Sequence, residues 1–89
     1  MPELSRFLGI VITMYPEAGE RHNTPHFHAR YSEYRATFAV ATGDPLAGSL
    51  PRTQQRLVQA WVELRRPELE DAWAALIAGQ SPGRIDPLT

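Results

Sequence analysis

Apolar residues in this chain alternate with period two over His26–Tyr31 and Tyr34–Ala41, and from Thr53 onward they recur every three to four residues. That change limits the fold more than any other feature. A two-residue period sends successive side chains to opposite faces of a strand, whereas i, i+3, i+4 spacing lines them along one face of a helix. The first half is therefore expected to be sheet and the second helix. At 89 residues only one core is large enough to be stable, so both halves belong to one domain.

The clearest alternation is His26 to Tyr31 (HFHARY) and Tyr34 to Ala41 (YRATFAVA), with Ser32-Glu33 between them. A turn centred on Ser32-Glu33 pairs Tyr31 with Tyr34, Ala29 with Ala36 and Phe27 with Phe38. All of these are apolar or aromatic and share one face, as cross-strand stabilisation favours. The opposite face then carries Arg30 beside Arg35, His28 beside Thr37 and His26 beside Ala39. A one-residue slip would turn the apolar set out to water. Phe7 to Met14 (FLGIVITM) is apolar on both faces, which predicts a strand inside the sheet. Pro16 to Pro25 reads as a loop and Thr42-Gly43-Asp44 as a turn. Pro45 to Leu50 reads as a short edge strand, where its proline is tolerated.

Leu57, Trp61 and Leu64, flanked by Val58 and Val62, form an apolar helical stripe. Arg65 and Arg66 suit the last turn of that helix, and Pro67 suits the first turn of another. Glu68, Glu70 and Asp71 crowd that first turn, Leu69, Ala72, Trp73, Leu76 and Ile77 continue at helical spacing, and Gly79 is a natural stop. Trp61 and Trp73 read as core anchors. The expected fold is α+β: an N-terminal antiparallel β-meander of three to four strands followed by a C-terminal helix pair. Residues 1–50 form the β-rich half, 51–79 the helix pair and 80–89 a tail.

Composition narrows the function. Without cysteine there is neither a disulfide framework nor a thiolate zinc site. Net charge is −1, whereas proteins that hold nucleic acid mainly by electrostatics carry a basic excess; any such contact here is local. All nine basic residues are arginine, which a GC-rich genome explains more simply than selection for phosphate binding. The longest apolar run falls far short of the roughly 20 residues of a membrane helix. No basic n-region of a signal peptide opens the sequence, so a cytoplasmic location away from membranes is expected.

All three histidines lie between His22 and His28. Positions two apart on a strand share a face, so His26 and His28 are expected to project side by side, with Arg30 and Arg35 on the same face. Two imidazoles can supply acid and base near neutral pH, and the arginines suit a phosphate. Together, His26, His28, Arg30 and Arg35 are the candidate catalytic set for metal-independent RNA cleavage or for phosphate binding. No cofactor is called for, although His22, His26 and His28 offer a divalent metal three imidazoles. The plain alternative is that the imidazoles hydrogen-bond loop backbone and cover the sheet edge. The spacing His26-x-His28-x4-Glu33 resembles a cupin metal motif, but the hairpin register puts Glu33 in the turn.

Ser5-Arg6-Phe7-x-Gly9-Ile10-x-Ile12, Met14-Tyr15 and His22-Asn23-x-Pro25-His26-Phe27-His28-Ala29 resemble the small bacterial family catalogued as domain of unknown function 4160. The likeness continues through Tyr34, Thr42-Gly43, Leu50-Pro51, Trp61, Glu63-Leu64 and Trp73 to Ile85-x-Pro87-Leu88. Arg21 stands where the family has an acid, and Pro16-Glu17-Ala18-Gly19 lengthens the first loop. Losing the acid weakens any metal or carboxylate–histidine pair that would use it. The resemblance implies one half of a two-protein, toxin–antitoxin-like module whose small protein partner is encoded nearby. Protein–protein interaction and a small RNase-like activity on RNA are thus the two functional expectations.

Overall fold

The computed structural model describes residues 3–15 and 24–89. Most of the expected Pro16–Pro25 loop, with Arg21 and His22, lies outside the described residues. Five strands, β1 (Glu3–Phe7), β2 (Ile10–Thr13), β3 (His26–Tyr31), β4 (Tyr34–Ala39) and β5 (Pro45–Ser49), form one antiparallel sheet in chain order. A single helix, α1 (Arg52–Ile77), follows.

Two expectations are corrected here. The apolar run Phe7 to Met14 is not one strand, because Leu8 and Gly9 turn it back with φ of 50° and 81°. Two positive φ values in a two-residue hairpin loop are the type I′ pattern, whose twist matches the flanking strands. Phe7 thus pairs with Ile10, and the sheet gains a fifth strand. Gly9 is also crowded: a Cβ there would stand 3.1 Å from the Tyr31 ring.

The helix pair is likewise replaced by one helix with a kink. Arg65 leaves helical geometry (φ −119°, ψ 18°), while Pro67 remains inside α1. A proline has no N–H for the carbonyl four residues back, and its ring clashes there, so the ladder opens locally. The chain stays helical on both sides because Val58, Trp61 and Val62 before the kink, and Leu69, Ala72 and Trp73 after it, are buried in the same core. Arg66 steadies the bend by donating from Nε to the Val40 carbonyl at 3.0 Å.

The hairpin β3–β4 has the register expected from its alternation, from Tyr31 opposite Tyr34 to His26 opposite Ala39. Its apolar face meets α1. Phe27 stacks on Phe38 at 5.6 Å, and Trp61 lies 5.8 Å from Phe27 and 5.5 Å from Phe7. Trp73 is buried as expected, whereas Leu64 and Ile77 are 61% and 55% exposed. The buried stripe runs Val58, Trp61, Val62, Leu69, Ala72 and Trp73 and leaves Leu64 outside it. Within the tail, Ile85 donates its N–H to the Leu4 carbonyl at 2.8 Å, and the Trp61 indole donates to the Asp86 carbonyl at 2.8 Å. The last residues thereby cover the β1 edge of the sheet.

Candidate functional site: the outer face of the sheet

Side chains that alternate away from the core repeat along each strand at about 7 Å, two residues of rise. The pairings therefore lay out the outer face as rows that cross the strands. One row runs Arg6, Val11, Arg30, Arg35 and Ser49; the next runs Thr13, His28, Thr37 and Ala47. Between and above these rows lies an open hollow of about 450 Å³. Val11, Thr13, Tyr15, His28, Arg30, Arg35, Thr37, Ala47 and Gly48 line it.

The hollow exists partly because the β5 side is small. Gly48 has φ of 68°, and a Cβ there would collide with the Arg35 carbonyl oxygen. The pairing shifts between Thr37 and Phe38, opposite Ala47 and Pro45, which leaves Leu46 as an extra residue. A bulge of this kind bends an edge strand and increases its twist.

His28 is held on two sides. Its ring stacks on Tyr15 with centroids 4.5 Å apart and planes 9° from parallel. Its Nδ1 shares a hydrogen bond of 3.2 Å with the Thr37 hydroxyl. His26 points from the same face of β3 but occupies a different environment. It is 7% exposed, and its Nδ1–H donates to the Thr24 carbonyl at 2.8 Å. Its ring lies 5.0 Å from Trp73 and edge-on to His28 at 5.5 Å. The two imidazoles do lie side by side, but His28 lines the hollow while His26 is buried. His26 sits under the C-terminal half of α1, as the backbone-bonding alternative anticipated.

Arg30 and Arg35 are directly opposed and exposed. Like charges in that position repel, and among the described residues no carboxylate pairs with either. Among the described residues, Glu3 takes Arg6 at 2.8 Å and Arg84 at 3.1 Å, while Arg65 and Arg66 reach Glu68 and Glu63. Hydrogen bonding from Arg6 holds the Glu3 carboxyl below its ordinary value, with Arg84 adding to the effect, and Glu3 in turn raises Arg6. Arg6, third cation of the row, is thus paired with Glu3, and among the described residues Arg30 and Arg35 are the arginines that line the hollow.

Of the expected set, the fold brings His28, Arg30 and Arg35 together and puts His26 outside the hollow. Among the described residues no three His, Cys, Asp or Glu side chains converge as a metal site requires; His22 is not among those residues. Glu33 lies in the β3–β4 turn, away from the histidine row, as the register required. Sequence reasoning missed Tyr15, Thr13 and Val11. Their signal was the alternation Val11, Thr13, Tyr15, but facing it to His28 needs the β2–β3 register, which the intervening loop conceals.

No helix of the described residues is long and apolar enough to cross a membrane. Comparison with curated proteins and with solved structures finds no match. The family model Domain of unknown function (DUF4160) matches residues 9–74, a span that contains every residue lining the hollow. With well over half of its length matched, the chain belongs to the DUF4160 family.

Proposed function

We propose that this protein binds a phosphate-bearing ligand in the hollow on the outer face of its sheet. The observation that carries this reading is the directly opposed Arg30–Arg35 pair, left without a carboxylate partner among the described residues. Two arginines opposed on neighbouring strands and lining one hollow offer N–H donors that suit a phosphate. A bound anion also offsets the repulsion between the two cations. His28 adds a positioned imidazole one row away.

Binding is favoured over RNA cleavage by the split between the imidazoles. General acid–base cleavage needs two proton carriers within reach of one phosphate. Of the two described imidazoles His28 lines the hollow, while the Nδ1–H of His26 is engaged by Thr24 and its ring is packed on Trp73. The test is titration of the full chain with inorganic phosphate, followed through the amide and arginine side-chain signals in NMR spectra. Saturable shifts on β3 and β4 are expected, and Arg30→Ala with Arg35→Ala should abolish them. Shifts that survive the double substitution would place the anion elsewhere.

A second reading, a module that pairs with a small protein partner encoded nearby, is supported by β5. Every residue of Pro45–Ser49 is exposed, and among the described residues nothing pairs with its far side, whereas the tail covers β1. An open edge is a template for an added strand. Co-expression with the neighbouring gene product and size-exclusion chromatography test it; Leu46→Lys should weaken any complex that forms there.

A further inference from the structure

Resting on the phosphate reading, we infer that the hollow takes a nucleotide, with its phosphate at Arg30 and Arg35 and its base against the Tyr15–His28 stack. Inorganic phosphate alone fills only a small part of about 450 Å³. That volume is in the range of sites that enclose a whole small molecule. The lining is also divided. Among the described residues the arginines stand in one row, and the next row is small, with Thr13, Thr37 and Ala47 around His28. A ligand matching that division is anionic at one end and neutral over the rest.

The neutral part meets an aromatic stack. Tyr15 and His28 lie nearly parallel at 4.5 Å, and both line the hollow. The Thr37 hydroxyl at Nδ1 keeps the imidazole from swinging off that plane. Flat rings extend such a stack, and stacking of bases on aromatic side chains is how proteins hold single nucleotides without reading their sequence. The spacing agrees, because the arginine row and the His28 row are one strand repeat apart, about 7 Å. That is the scale of the reach from a nucleotide's phosphate to its base. Among the described residues no carboxylate lines the hollow to repel the phosphate. Net charge of −1 fits a site for one nucleotide better than a surface that tracks a long backbone.

The experiment is calorimetric titration of the full chain with AMP, ribose 5-phosphate and inorganic phosphate. AMP is expected to bind at least about fivefold more tightly than ribose 5-phosphate, the contribution of one base–aromatic stack. Tyr15→Leu should bring AMP affinity down to that of ribose 5-phosphate; Arg30→Ala with Arg35→Ala should weaken both. Equal affinity for AMP and ribose 5-phosphate would overturn the nucleotide inference and leave the phosphate reading intact. No binding of any of the three would overturn both. A Tyr15→Leu protein that loses AMP and ribose 5-phosphate equally would also refute the placement of the base. A measurement on the unmodified chain stands beside the variant: AMP base protons should show NOEs to Tyr15 ring protons, and a bound AMP lacking them overturns the inference.

Discussion

Replacing His26 tests whether the two strand histidines have the separate roles that their surroundings indicate. His26→Ala removes an imidazole that is 7% exposed, packed 5.0 Å from Trp73 and donating to the Thr24 carbonyl at 2.8 Å. The lost hydrogen bond is worth about 1 kcal/mol. Emptying the ring's place beside Trp73 adds about 2 kcal/mol, at the low end of large-to-small core changes. The sum of about 3 kcal/mol lowers the melting temperature by roughly 12–24 °C for a domain of this size. His28→Ala removes a half-buried ring stacked on Tyr15, so about 1 kcal/mol and roughly 4–8 °C are expected. Phosphate binding should follow the opposite order, kept by His26→Ala below its melting transition and weakened by His28→Ala. His26→Asn separates the two contributions, since its amide can still donate toward Thr24 but does not fill the space beside Trp73. Circular dichroism melts and the phosphate titration on the same preparations provide both readouts. A His26→Ala melting temperature within a few degrees of the parent would show that the ring is not part of the core. Equal stability losses for the two variants, with binding untouched by either, would remove His28 from the site.

Leu8→Asn should stabilise the protein by about 1 kcal/mol, because Leu8 is exposed at φ 50° and Asn-Gly is the preferred type I′ turn; a lower urea midpoint would contradict the turn assignment. Trp73→Ala should cost about 3–5 kcal/mol as a buried aromatic, and an unchanged melting curve would make Trp73 a surface residue. Glu3 gives a pH dependence whose sign follows from its depressed pKa. The folded state binds fewer protons than the unfolded chain, so the stabilising contribution is present above the ordinary value of 4.5 and is lost as pH falls through the lower folded value. Protection of the Ile85 amide, which holds the tail to Leu4, should therefore fall in that acid window; a flat protection factor would detach the tail from this ion-pair cluster.

The hairpin was legible in the sequence because period-two alternation admits only one register that buries Phe27, Ala29, Ala36 and Phe38 together. That register also placed Arg30 beside Arg35 and His28 beside Thr37, which is half of the candidate site. The helical stripe through Trp61 and Trp73 was equally plain, since large apolar residues at three- and four-residue spacing have one way to share a face. Other features depended on interactions that local pattern does not carry. Gly9 within an apolar run was a faint sign of a turn, but pairing of Phe7 with Ile10 was needed to make two strands from one. Pro67 fitted a helix start as well as a kink, and burial of residues on both sides of it decided for one bent helix. His26 and His28 are indistinguishable by strand period, and only α1, whose Trp73 comes to rest on His26, turned one into a buried contact and left the other beside the hollow. Tyr15 reached His28 through the β2–β3 pairing across the intervening loop. Sequence periodicity determined which face each side chain takes; the packing of distant segments decided which of those faces stayed open.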